Sequence, residues 1–251
     1  MLATLALAVL APSNGEYRLD SPPVTVSFSA QRSIFPAHWQ RGEVKAAATP
    51  IAANREIDCV NAISRAVSSY SPALTEKNLK TVYIAGSLRF YGLDYGGTNS
   101  EVNIYLTYVD AKGGKNFLER AFHHEFSSIL LRNYSRYFPY AEWQAALPDD
   151  FVYRGDGTQS LREGTASTRY DTKFHDNGFL AEYATSSLEE DFNMVAEALF
   201  AQDQRLWNLY NDYPMVKKKV DLVIQFYQRI DPKIAITRFI SQAPRAQSGT
   251  M

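Results

Sequence analysis

The run Phe122-His123-His124-Glu125-Phe126-Ser127-Ser128-Ile129-Leu130 sets the hardest condition on how this chain folds. It lies within Phe117–Tyr137, whose apolar residues predict a helix buried over most of its surface. Two imidazoles and a carboxylate are thereby carried into a helix with little wet face. Burying such groups is costly unless each meets a hydrogen-bond partner or an opposite charge. Successive helical residues point about 100° apart, so His123 and His124 address different neighbours.

The elements around this helix read as α+β, with strands early and helices late. Val24–Ala30 alternates as a half-buried strand, and Thr81–Ser87 reads as a buried one. Glu101–Val109 alternates Val102, Ile104 and Leu106 against Asn103, Tyr105 and Thr107, which predicts an edge strand with a wetter face. Ile57, Val60, Ile63, Val67 and Tyr70 make the stripe of a helix over Glu56–Tyr70. Ile34–Pro50 reads as a connector, and Tyr95–Ser100 as turn-rich. Downstream, Tyr140–Leu147, Gln204–Tyr210 and Met215–Ile230 are helical. A short final helix is expected after Pro232. Ser187-Leu188-Glu189-Glu190 fits a capping box that opens a helix carrying Phe192, Val195, Ala196, Leu199 and Phe200.

Composition narrows the function classes. Lysine and arginine number 26 against 27 acids, so no basic excess supports nucleic-acid binding. Lys217-Lys218-Lys219 reads as the wet face of a helix. The single Cys59 excludes an intrachain disulfide and a cysteine-based zinc cluster, and reads as a small buried apolar residue. Met1–Ala11 is an apolar stretch of signal-peptide length, too short to span a bilayer. The expected organisation is a leader over 1–23, one domain over 24–241 and a polar tail over 242–251. No other stretch predicts a transmembrane span, and the leader points to a secreted, periplasmic or cell-envelope location.

His124 and Glu125 supply most of the H-E-x-x-H pattern, in which two histidines four residues apart hold zinc beside a glutamate. The second histidine position is Ser128, a poor zinc ligand. His123 does not substitute, because it points elsewhere around the axis. Asp149, Asp150 and Asp156 lack the alternation of a calcium loop and read as solvated turn residues. His175, in the irregular stretch Phe174–Ala184, reads as a surface histidine. Glu190 is explained equally by its capping box or by a ligand role.

The His-His-Glu helix, followed by Gly178–Phe192 (GFLAEYATSSLEEDF), resembles the zinc-binding metallopeptidases of bacterial envelope proteins, and more distantly the lethal-factor-like gluzincins. The resemblance covers roughly Leu79 to Phe239 and implies a zincin-like fold that hydrolyses peptide bonds. It implies His124 and Glu190 as zinc ligands, Glu125 as general base and Tyr183 as the tyrosine stabilising the oxyanion. Two departures bear on activity. Ser128 replaces a ligand histidine, and Met194 stands where the family helix carries an acidic residue. The expected function is therefore an impaired zinc metallopeptidase. The competing expectation is a non-catalytic pseudoprotease binding a peptide or protein in a retained cleft, with Glu101–Val109 as the edge strand.

Overall fold

The computed structural model describes residues 15–110, 113–234 and 239. The segment Met1–Ala11, the short helix expected beyond Pro232 and the tail Gln242–Met251 lie outside the described residues, apart from Phe239 and the turn at Pro232. The chain divides into two compact units, Met1–Asn133 and Tyr134–Met251. All the named strands fall in the first unit, and the second is mainly helical, which bears out the α+β expectation.

In the first unit, β1 (Glu16–Asp20) and β2 (Pro23–Ser27) form an antiparallel hairpin. Strand β1 falls within residues 1–23. Strand β3 (Ala47–Thr49) lies in the expected connector. The helices α1 (Glu56–Val67) and α2 (Pro72–Asn78) then carry the chain across to β4 (Thr81–Ala85). Ser71 accepts the Leu74 N–H at the start of α2, and Pro72 takes the position where a missing N–H costs nothing.

The short strands β5 (Ser87–Phe90), β6 (Leu93–Tyr95) and β7 (Gly97–Asn99) precede β8 (Asn103–Thr107) and the long helix α3 (Lys115–Asn133). A five-stranded sheet has the order β1-β2-β4-β8-β7, with β2, β4 and β8 parallel and both outer pairs antiparallel. A three-stranded sheet has the order β3-β5-β6.

The expected edge strand is therefore internal. Strand β8 pairs with β4 on one side and β7 on the other. Its second face is dry as well, because Tyr105 packs with Phe35, Trp39 and Phe90 between the two sheets. The alternation in Glu101–Val109 reflects two different buried environments rather than a core and a solvent face. Leu19, Val24, Val26, Val82, Ile84, Ile104 and Leu106 are fully buried along the large sheet, and α1 packs on α3. Each such aliphatic side chain contributes about 1.5–3 kcal/mol on burial.

In the second unit, α4 (Tyr140–Gln144), α5 (Gly157–Glu163) and α6 (Thr172–His175) are short pieces ahead of three longer helices. These are α7 (Leu188–Phe200), α8 (Gln204–Asp212) and α9 (Pro214–Ile230). Asp156, read as a solvated turn residue, caps α5 by accepting the Gln159 N–H at 2.8 Å. Phe138, Trp143, Phe192, Phe226 and Tyr227 form the aromatic centre of the unit. Among the described residues no helix is long and apolar enough to cross a membrane.

Candidate functional site

Helix α3 separates its polar groups by face. His123 is fully buried, with Nδ1 at 2.9 Å from the Tyr70 hydroxyl. The neighbouring His124 is half-buried, and Ser128 lies one helical turn further on the same side. Ser128 is 3% exposed, so the position that would hold a second histidine is buried.

Glu125 is bound to the end of the large sheet. Its Oε2 accepts from Asn99 Nδ2 at 2.8 Å, and Arg132 Nη2 donates to Asn99 Oδ1 and to the Ser100 carbonyl, each at 2.8 Å. Because the guanidinium offers only donors, it requires the amide oxygen of Asn99 on its own side. The Asn99 NH2 group is thereby turned toward the carboxylate. Gly97 lies two residues earlier on the same face, and a Cβ there would stand 2.7 Å from Glu125 Oε1. A side chain at this position would push the carboxylate aside, and glycine leaves it in place.

Tyr183 and Glu190 belong to the second unit, and the fold brings them together. Tyr183 sits in the 3-10 turn Glu182–Thr185, and Glu190 in the first turn of α7. Ser187 accepts the Glu190 N–H at 3.1 Å, as the capping box predicts. Both side chains converge on Gly157, where a Cβ would overlap the Tyr183 hydroxyl and stand 2.6 Å from Glu190 Oε1. The approach is fastened by Gly155 N–H donating to the Ser186 carbonyl at 2.9 Å and by the Ser160–Ser186 hydroxyl contact at 2.5 Å.

Beside Glu190 lies a group that sequence reasoning passed over. Asp191 is wholly buried and accepts from Lys219 Nζ at 2.7 Å and from the Tyr153 hydroxyl at 2.8 Å. Trp143 Nε1 donates to the same tyrosine at 3.0 Å, and Lys219 Nζ lies 3.6 Å from the centre of the Phe179 ring. Burial pushes the Asp191 carboxyl up and the Lys219 amine down, and each is pulled back by the other's charge. Burial and the adjacent carboxylate together raise the Tyr153 phenol.

Lys219 overturns the reading of its lysine run as a wet face. Lys217 and Lys218 are exposed, but the next residue turns about 100° into the interior. His175 is likewise not a surface residue. It is 3% exposed, its Nε2 lies 3.2 Å from the Leu180 carbonyl, and its ring meets Tyr213 edge-on. Gly178, at φ +79°, folds the chain back so that this contact forms.

A catalytic zinc takes about three protein ligands and keeps an open position. Helix α3 offers one imidazole and, a turn later, a serine hydroxyl, a set that does not fit such an ion. Among the described residues no three His, Cys, Asp or Glu side chains gather at a metal-binding spacing. Comparison of the chain with protein-family models, curated proteins and solved structures found no match.

Proposed function

We propose that this chain is an exported, zincin-like relative of the metallopeptidases that binds an extended peptide at the open side of β7 and is impaired in hydrolysis. The observation that carries this reading is the seating of Glu125 beneath the last strand of the sheet. A carboxylate one residue after a helical histidine is what the H-E-x-x-H pattern contains, and here it adjoins an edge strand. Here the carboxylate holds the strand, and the second imidazole is replaced by Ser128.

The register of β7 supports peptide binding. Gly96 O accepts from Thr107 N at 2.9 Å, and Ser100 N donates to Asn103 O at 2.8 Å. Antiparallel pairing alternates, so Gly96, Thr98 and Ser100 address β8, while the N–H and C=O groups of Gly97 and Asn99 point outward. Among the described residues no strand lies beyond them. Outward backbone groups on a sheet edge receive an added strand.

Elemental analysis and peptide binding test the proposal together. The purified protein is expected to carry less than stoichiometric zinc, and Ser128→His to raise its zinc content. A pool of random decapeptides is expected to slow amide exchange at Gly97 and Asn99. Stoichiometric zinc in the unmodified protein that is lost in Glu190→Ala, together with peptide hydrolysis, would establish an active enzyme instead. Peptide capture with unchanged exchange along β7 would rule out strand addition.

A further inference from the structure

The structure assigns a second binding site to the first unit: a basic cleft for a phosphate-bearing ligand, formed by Arg32, Arg41 and Lys45. A cavity of about 600 Å³ opens there, lined also by Ala30, Ala46, Ala47 and Ala48. That volume falls within the usual range for small-ligand sites. The apolar side chains of the lining are alanines, and its charged side chains are all positive. The loop's one carboxylate, Glu43, is exposed and outside the lining.

The cations stand on a fixed frame. Arg32 Nη2 donates to the Gln40 carbonyl, and Gln40 Nε2 donates to the Phe35 carbonyl at 2.8 Å. The loop is closed by Trp39 N to Pro36 O at 2.9 Å, Ala46 N to Trp39 O at 2.9 Å and Tyr91 N to Val44 O at 2.7 Å. Lys45 is held at φ +43°, a conformation that costs a lysine energy and persists only where the surroundings impose it. Gly42, at φ +62°, leaves open space where a side chain would stand. The ligand therefore meets two guanidinium groups and an ammonium carried on a loop whose backbone, with the Arg32 guanidinium, is held before it arrives.

Two guanidiniums favour phosphate oxygens, which they grip in bidentate fashion, and the ammonium adds a point charge. Phosphate chemistry comes from a soluble phosphoryl compound or from a phospholipid headgroup, and the test separates these sources. Inorganic pyrophosphate is titrated into the full chain by calorimetry, and phosphatidylglycerol vesicles are tested by co-sedimentation. Pyrophosphate is expected to bind saturably, and Arg41→Gln with Lys45→Gln to weaken it roughly tenfold or more, as lost charge-assisted hydrogen bonds do. Lys80→Gln, an exposed cation elsewhere in the unit, is expected to leave binding unchanged.

Vesicle binding that pyrophosphate displaces and the double variant abolishes assigns the headgroup as source. Pyrophosphate binding without vesicle binding assigns a soluble ligand. The proposal is overturned if neither probe binds, if Lys80→Gln weakens binding as much as the double variant, or if poly-glutamate binds where pyrophosphate does not. The substituted side chains are exposed, and an unchanged melting temperature confirms that the variants fold.

Discussion

Asn99 on the last strand of the sheet and Glu125 on the long helix are joined by a 2.8 Å hydrogen bond whose direction Arg132 dictates. The bond ties a three-residue strand to the helix that carries the most unusual residues of the chain. Replacing Asn99 by leucine keeps the bulk and removes the donor. The loss is expected to cost about 1–3 kcal/mol of unfolding free energy, as for other buried charged acceptors that lose a donor. Urea titration reads the cost, and faster amide exchange at Thr98 and Ser100 would place it in β7. Gly97→Ala is expected to act in the same place, by forcing the carboxylate aside.

Gly157→Ala reverses an ordinary rule. In a helix, alanine is normally better than glycine by about 0.5–1 kcal/mol. Here the added methyl meets the Tyr183 hydroxyl and Glu190 Oε1, so the substitution is expected to destabilise. A rise in melting temperature would show that the two side chains do not converge on this glycine.

Lys219→Met is expected to be among the most damaging single changes, at about 3–5 kcal/mol, because it leaves the Asp191 charge buried without its counterion. Adding Asp191→Asn should recover much of the loss, since the pair is then replaced by groups of similar shape. A double-mutant cycle in denaturant measures both effects. Failure of the second substitution to rescue the first would mean that packing of the lysine stem, not its charge, sets the cost.

Cys59 gives a pH dependence with a definite sign. Burial raises its thiol from the ordinary 9.0 to about 12, the carboxylates of Asp58 and Glu56 adding to the shift. The folded state thus keeps its proton while the unfolded chain loses one. The stability this protonation contributes is present below pH 9 and is lost as the pH rises toward 12. The slope is about 1.4 kcal/mol per pH unit for one group. Cys59→Ala should flatten that part of the profile, whatever it does to stability at neutral pH. Thiol reagents at pH 8 should label the protein only after denaturant is added.

What was legible in the sequence was local. The Ser187 cap, the helix over Met215–Ile230 and the different directions of His123 and His124 all follow from helical spacing, and the fold carries each of them. Strand β7 was not legible, because Gly97-Thr98-Asn99 has no alternation and is a strand only through pairing with β8. The interior edge of β8 was hidden for the same reason.

Lys219 reads like its two neighbours until Asp191, 28 residues away, gives it a destination. The convergence of Tyr183 and Glu190 on Gly157 likewise depends on the bond from Gly155 N–H to the Ser186 carbonyl, which no short window contains. The resemblance pointed to Tyr183 and Glu190 together. It gave no hint that a glycine elsewhere makes room for them.

The loop under Arg32 and Lys45 has a further consequence for how the first unit is built. Its carbonyls at Trp39 and Val44 receive N–H groups from Ala46 and from Tyr91, at the tip of the antiparallel β5–β6 hairpin, so the basic rim and that hairpin form one braced corner. A ligand gripping the rim would stiffen the hairpin without touching it, and shortening the loop would loosen the small sheet before it removed a single charge.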